Sequence, residues 1–312
     1  MAGADKLIET YATAVQPLFQ LGDKLEHHIE DWIDYPAEYQ LTDAHVPDLI
    51  QILRDEEALD QLDVPVCYGP IHAMRALGQL QVEAAIAPLI EAIAYAEESD
   101  YYLIDLPKVF SLMGAMALPA LADCVPRLSS KDWFYAVVVS DSLAAIGKRH
   151  PVARDECVQI LSDALRSYSQ LEADTNAALV ASLLGLQAVE CAELIEEAYR
   201  EGPMDEHVCG TWASVQVELG LARKEDFSPE DFELPPLASL PSLSSLFAPP
   251  QSTAASTVTA SGLQITGGLQ SVAKPTGNFG DIDLNFGKAK TMPEKQGFGT
   301  SAKPKKKKKK RK

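Results

Sequence analysis

The chain has 312 residues, of which 46% are hydrophobic and 7% aromatic, so it can build one large domain or two ordinary ones around an apolar core. Its formal net charge is −18, yet nine of the last ten residues are Lys or Arg, which makes the rest an acidic body with a basic tail. The start MAGADKLIET has no basic region before an apolar run, no apolar stretch reaches about 18 residues, and the five dispersed cysteines form no CxxC pair, so we expect no secretory signal, no transmembrane segment and a reducing, cytoplasmic location.

The N-terminal part predicts short helices separated by loops. Residues 5–20 place apolar side chains on one helical face, with Pro17 placed to bend or end the helix. Residues 24–32 form a charged stretch that we predict to be helical, and DYPAEY at residues 34–39 predicts a loop. Thr42 and Asp43 offer a capping residue to a helix over residues 45–53.

Residues 71–93 predict a pair of helices that later segments repeat. Pro70 suits the first turn of the first helix, Gly78 marks its end, and its apolar stripe is Ile71, Met74, Leu77 and Leu80. A second stripe follows over residues 86–93. Two short antiparallel helices cannot bury both apolar faces alone, so they need another pair packed against them, as in a solenoid.

The same pattern returns along the chain. Each first helix finishes on apolar residues and a glycine, and these glycines lie 36, 33 and 38 residues apart: Gly78, Gly114, Gly147 and Gly185. The apolar pairs of the second helices lie 40, 31, 40 and 34 residues apart, beginning with Leu49-Ile50. Such spacing is typical of two-helix repeats. Residues 211–221 predict a closing helix capped by Thr211.

From about residue 224 the composition changes to Pro, Ser and Gly with isolated apolar residues, which cannot bury enough surface to offset the entropy of ordering. Three FG dipeptides begin at Phe279, Phe286 and Phe298, and the chain ends in KPKKKKKKRK, which includes Lys305, Lys308 and Arg311. These six residues are the candidate docking elements of the tail. A basic run of this kind stays disordered and binds polyanions, unless it folds back on the acidic body.

The run ALGQLQVEAAIAPLIEAI at residues 76–93 resembles the HEAT-like repeats of phycobiliprotein lyases. Residues 1–221 also resemble a family of bacterial HEAT-like proteins without an assigned activity, through HAMRALGQL, LPKVFSLMG, KRHPVARDECVQIL and WASVQVELGL. Some such proteins end in a cysteine-rich, zinc-binding module, whereas no cysteine follows Cys209 here. The expected fold is all-α: a right-handed α-solenoid of HEAT-like helix pairs over residues 1–222, a disordered linker over 223–302 and a polybasic tail over 303–312.

Several clusters of polar residues contain residue types found in metal or catalytic sites, but their context favours a structural role. His27-His28 with Glu30 and Asp31, and Asp205-Glu206-His207 with Cys209, contain metal-ligand residue types without the fixed set that zinc needs. Cys157 has His150 and Arg154 upstream, but its position on an apolar helical face indicates a buried thiol. No nucleophile elbow, metalloprotease or phosphate-loop motif occurs, so we expect no catalytic residue, metal or cofactor.

Two aromatic clusters are candidates for partner contact: Trp133, Phe134 and Tyr135 in one, and Tyr101 and Tyr102 in the other. Aromatic side chains supply binding hot spots, although packing in the core or at the start of a helix is the commoner explanation of such clusters.

The leading hypothesis is a non-enzymatic protein-interaction scaffold or adaptor, an acidic helical platform with a flexible basic arm. One alternative is an adaptor tethered to nucleic acid or the ribosome by the basic tail. In a nucleated cell that tail would read as a nuclear import signal. A second alternative, implied by the resemblance alone, is an accessory role like that of the phycobiliprotein lyases.

Overall fold

The computed structural model describes residues 8–55, 58, 65–97, 99–130 and 132–236. In these residues the regular secondary structure consists of α-helices and 3₁₀ turns, and none of them forms a strand. The all-α prediction is therefore confirmed for the described part of the chain. The chain divides into two units, Met1–Thr266 and Gly267–Lys312. The second unit lies outside the described residues, as do the FG dipeptides and the polybasic tail.

The α-helices alternate between two sets along most of the chain. In chain order they are α1 (Tyr35–Glu38), α2 (Val46–Leu53), α3 (Gly69–Leu80), α4 (Ile86–Glu91), α5 (Asp100–Met113), α6 (Leu118–Ala122), α7 (Trp133–Arg149), α8 (Arg154–Leu165), α9 (Ala173–Gly185), α10 (Ala192–Glu201), α11 (Glu206–Cys209) and α12 (Trp212–Glu218). We call α3, α5, α7 and α9 the first helices, and α4, α6, α8 and α10 the second helices. The first helices contact one another in chain order, α3 with α5, α5 with α7 and α7 with α9.

All second helices begin in the same way. A 3₁₀ turn directly precedes each of them, and also α2: Asp43–His45, Glu83–Ala85, Gly114–Ala117, Pro151–Ala153 and Val189–Cys191. The fourth residue of each following α-helix is fully buried: Leu49, Leu89, Leu121, Cys157 and Ile195. Cys157 thus takes the position that leucine or isoleucine takes elsewhere, and its burial follows from the repeated geometry.

The glycines of the repeat allow neighbouring repeats to approach closely. A Cβ on Gly78 would lie 2.9 Å from Val109 Cγ1 on α5, and a Cβ on Gly147 would lie 2.7 Å from Leu186 Cδ2, just beyond α9. Both glycines lie two residues before the last residue of their helices, so the prediction that they end the helix is wrong for these two, whereas Gly185 is the last residue of α9 as predicted. Gly114 does end α5, with a φ of 66°. The regular spacing of these glycines therefore reflects close contact between successive helix pairs, where a Cβ atom would not fit.

The N-terminal segment differs most from the prediction. Of the helix expected over residues 5–20, the described part from residue 8 holds a 3₁₀ turn at Gln16–Gln20, and the helix expected over 24–32 is reduced to the turn Ile29–Asp31. The expected loop at 34–39 contains α1, because Asp34 accepts a hydrogen bond from the backbone N–H of Ala37. At the other end, Thr211 caps α12 as predicted.

One helical stretch, Asp100–Ala122, is long and apolar enough to cross a membrane, with a mean hydropathy of 1.3 over its best window. Sixty-seven percent of that window is buried inside the protein, as in the core helix of a soluble protein. The described residues therefore show no clear transmembrane segment. Residues 223–236, assigned to the linker, contain two 3₁₀ turns, and the turn Pro229–Phe232 contacts α12.

Candidate functional site

One side of α3 holds the irregular N-terminal segment, which we define as residues 22–33. Three side chains spaced three and four residues apart, and Lys108 on α5, reach its backbone carbonyl oxygens: His72 Nε2 to Gly22 (2.9 Å), Arg75 Nη2 to Glu26 (3.0 Å), Gln79 Nε2 to Ile33 (2.9 Å) and Lys108 Nζ to His27 (2.7 Å). Outside its short 3₁₀ turn, the segment has no regular secondary structure to pair its carbonyl groups, and these bonds satisfy four of them. Because Glu26 and His27 are adjacent, the segment crosses from α3 to α5 at this point.

A buried ion pair underlies these contacts. Arg75 Nη2 lies 2.6 Å from Asp105 Oδ2, and both side chains are 2% exposed. Arg75 Nε donates to the same oxygen at 2.8 Å, and Lys108 Nζ donates to Asp105 Oδ1 at 3.0 Å. The Arg75 guanidinium also lies 4.3 Å from the ring centroid of Trp32 in the N-terminal segment. The charges are thus compensated inside the protein, as a buried pair requires.

His72 is neutral in this setting. Burial lowers its pKa to about 4. Its Nε2 must carry the proton, since its partner is a carbonyl oxygen, so its Nδ1 accepts from the Tyr35 hydroxyl at 2.6 Å. Burial also raises the pKa of Tyr35. Neither group exchanges protons near neutral pH, and the arrangement fastens the N-terminal segment in place.

On α5 and α7, the side that corresponds to the covered side of α3 carries half-buried residues. His72, Lys108 and Asp141 each lie six residues before the glycine of their own helix, respectively Gly78, Gly114 and Gly147. On α5 the half-buried positions continue to Ile104 and Tyr101, and on α7 they continue to Val137 and Phe134, at matching offsets. On α9 the residues at matching offsets, Leu179 and Thr175, are buried. α5 contacts α3 and α7, and α7 contacts α5 and α9, so both helices are packed on two sides. We therefore infer that the half-buried residues of α5 and α7 face one common side, the open face: Tyr101, Ile104, Phe134, Val137 and Asp141.

The structure divides the predicted aromatic candidates. Tyr101 and Phe134 lie on the open face, and Trp133 is half-buried with its ring centroid 5.1 Å from that of Phe134. Tyr102 is fully buried, and Tyr135 is 7% exposed, so these two tyrosines belong to the core and offer a partner almost no surface. The tail candidates, Phe279, Phe286, Phe298, Lys305, Lys308 and Arg311, lie outside the described residues.

Two ionisable residues of α7 were missed by sequence reasoning. Asp141 Oδ1 accepts a hydrogen bond from Ser182 Oγ on α9 at 3.1 Å, and burial raises the pKa of Asp141 to about 6. Burial lowers the pKa of Lys148, in the last turn of α7. The position of Asp141, six residues before its repeat glycine like His72 and Lys108, was the sequence signal that could have identified it.

The described cysteines and histidines form no reactive arrangement. Burial raises the pKa of Cys157 to about 11 and that of Cys209 to about 12, so both thiols stay protonated at neutral pH. Asp205 accepts a hydrogen bond from the backbone N–H of His207 and caps α11. Among the residues that the structure describes, no group of three or more His, Cys, Asp or Glu side chains could hold a metal ion.

Comparison with known proteins found no match, so the fold and the open face are described from this chain alone. No protein-family model matches it, and no curated protein or solved structure is similar enough to count as a match.

Proposed function

We propose that the helix pairs form a right-handed α-solenoid of HEAT-like repeats that serves as a non-enzymatic scaffold for protein partners. Three features support the solenoid: the chain-order contacts of the first helices, the 3₁₀ turn before each second helix, and the glycines that admit the next repeat. Each helix pair then buries its apolar surface against its neighbours, which is the logic of a repeat protein.

The open face is the proposed partner site. The observation that carries this proposal is the N-terminal segment, an irregular chain already bound on the matching side of α3 through its carbonyl groups. The same side of α5 and α7 offers apolar and aromatic side chains with few charges. An extended, largely uncharged protein segment fits this surface, because its side chains can pack there.

The second helices carry a different surface. Exposed carboxylates follow one another on α8 and α10: Asp155, Glu156, Asp163, Glu193, Glu196 and Glu201. Such a surface repels nucleic acid and favours basic partners. The adaptor function for nucleic acid or the ribosome depends on residues 303–312, outside the described part, and stays a prediction, as does the lyase-like role.

Affinity purification of the full-length protein from its own cell tests the open face. Three forms are compared: the natural chain, Val137→Asp on α7, and the control Gln159→Asp, which adds the same charge at an exposed position of α8. We expect a protein partner that co-purifies with the natural chain and the control and is lost from Val137→Asp, with equal thermal stability of the variants. Identical partners for all three forms would refute the proposed site.

A further inference from the structure

The segment that follows the last described residue has an unusual composition. No charged residue occurs between Glu233 and Lys274, in a chain with 23% charged residues. Within it, every third residue from 237 to 246 is leucine, and Phe247 follows: Leu237, Leu240, Leu243 and Leu246. A polyproline II chain has three residues per turn, so these leucines would share one edge, about 9 Å apart.

This spacing matches the open face. Packed helices lie about 8–10 Å apart, so an extended segment crossing the first helices could place one leucine between each pair of neighbours. The N-terminal segment already shows a crossing of this kind, since Arg75 on α3 and Lys108 on α5 bind the adjacent carbonyl groups of Glu26 and His27.

The exit point of the chain is suitable. The turn Pro229–Phe232 contacts α12, and Glu218 of α12 lies close enough to Lys148 on α7 to act on its charge. The last described turn therefore packs on a helix that lies near the C-terminal part of α7. Eleven residues at about 3.1 Å each span about 34 Å, which is enough to cross three neighbouring helices.

The two parts of the tail differ in charge, and this difference indicates which surface of the helical region each part can bind. The polybasic residues 303–312 are complementary to the carboxylates of the second helices, whereas the uncharged leucine segment suits the open face. We propose that residues 237–247 of this chain dock across the open face of α7 and α5 and thereby compete with the protein partner. This inference rests on the open face of the proposed function and adds its intramolecular occupant.

Photo-crosslinking in the purified full-length protein tests the docking. The photoreactive residue p-benzoylphenylalanine replaces Val137 on the open face or, as the matched control, Gln159 on α8. After irradiation at low protein concentration, mass spectrometry maps the joined residues. We expect intramolecular cross-links from position 137 to residues 237–247, and none to that segment from position 159. The proposal is overturned if position 137 joins other segments only, joins a second copy only, or behaves like position 159.

A second pair of variants tests the leucine edge. Leu240→Asp with Leu243→Asp should lower the cross-link yield several-fold, while Ser239→Asp with Ser242→Asp adds the same charge beside that edge and should retain most of it. Equal loss in both double variants would exclude docking through the leucines. The partner assay stays separate: a partner lost from Val137→Asp without these cross-links would remove only the intramolecular docking, and unchanged partners would remove only the proposed function.

Discussion

Asp105→Asn removes the charge that balances Arg75 inside the protein. The substitution keeps the size and one acceptor oxygen of the side chain, so it changes electrostatics far more than packing. Arg75 Nε and Lys108 Nζ each donate a hydrogen bond to the Asp105 carboxylate, and Arg75 Nη2 forms an ion pair with it at 2.6 Å. After the substitution, Arg75 keeps its contacts with the carbonyl oxygen of Glu26 and the ring face of Trp32, but Asp105 no longer balances its charge.

The expected loss follows from the burial of the pair. Removing one partner of a buried ion pair costs about 3–5 kcal/mol, because the other charge stays buried and uncompensated. Arg75 and Asp105 are each 2% exposed, so water cannot replace the lost carboxylate. Since the asparagine oxygen still accepts one hydrogen bond, we expect about 3 kcal/mol, which for a folded region of this size lowers the melting temperature by about 6–12 °C.

Chemical denaturation of the full-length protein, followed by circular dichroism, measures this loss. The control is Glu91→Gln, which breaks the surface pair between Arg54 and Glu91, whose side chains are 48% and 59% exposed. Exposed pairs contribute about 0–1 kcal/mol, so the control should shift the unfolding midpoint little.

The double variant Arg75→Met with Asp105→Leu provides the decisive comparison. Replacing both charges removes the uncompensated cation, so the double variant should be more stable than Asp105→Asn, although Lys108 and the carbonyl group of Glu26 then lose a partner. The reasoning is refuted if Asp105→Asn costs no more than Glu91→Gln, or if the double variant is the least stable form.

Three further predictions concern the repeat glycine and two buried ionisable groups. Gly78→Ala should lower the free energy of unfolding by about 1–3 kcal/mol through overpacking against Val109, measured by denaturation. Asp141 has a pKa raised from 3.8 to about 6, so between pH 4 and 6 the folded state holds a proton that the unfolded state has released; the free energy of unfolding falls as pH rises there, and Asp141→Asn should remove that fall. His72 has a pKa lowered from 6.5 to about 4, so the free energy of unfolding falls as pH drops from 6.5 to 4, and His72→Gln should flatten this dependence while losing stability at pH 7.

Each of these three has a result that contradicts it. Val109→Ala combined with Gly78→Ala should cost less than the two single changes together, and simple additivity would mean that the two residues do not conflict. An unaltered pH profile for Asp141→Asn or His72→Gln, measured by denaturation at half-unit steps, would show that the group titrates alike in the folded and unfolded states.

The helical pattern of residues 65–221 could be predicted because apolar side chains recur at helical spacing, and the first and second helices occur where the stripes place them. The role of the glycines could not be read from one helix, since the contact of Gly78 with Val109 joins residues of different repeats. The spacing of the glycines indicated the length of the repeat. Only the packed helices show that the glycine makes room for a side chain of the neighbouring repeat.

The N-terminal segment could not be predicted from local sequence. Residues 24–32 have the polar composition of a surface helix, yet His72, Arg75 and Lys108 bind three of the carbonyl groups of residues 22–27 in an irregular conformation. Tertiary hydrogen bonds thus override a weak helical preference. The same limit applies to the open face, because Tyr101 and Tyr102 are neighbours in sequence and only one of them reaches the surface.

The hydrogen bonds that hold the N-terminal segment are made to its backbone carbonyl groups, which every amino acid carries. Apart from Leu25 and Trp32, whose side chains are buried, most of the segment can therefore accept substitutions without losing its attachment. Its sequence can therefore change during evolution while its backbone path stays the same. A grafted peptide of unrelated sequence could be held there by the same hydrogen-bond donors.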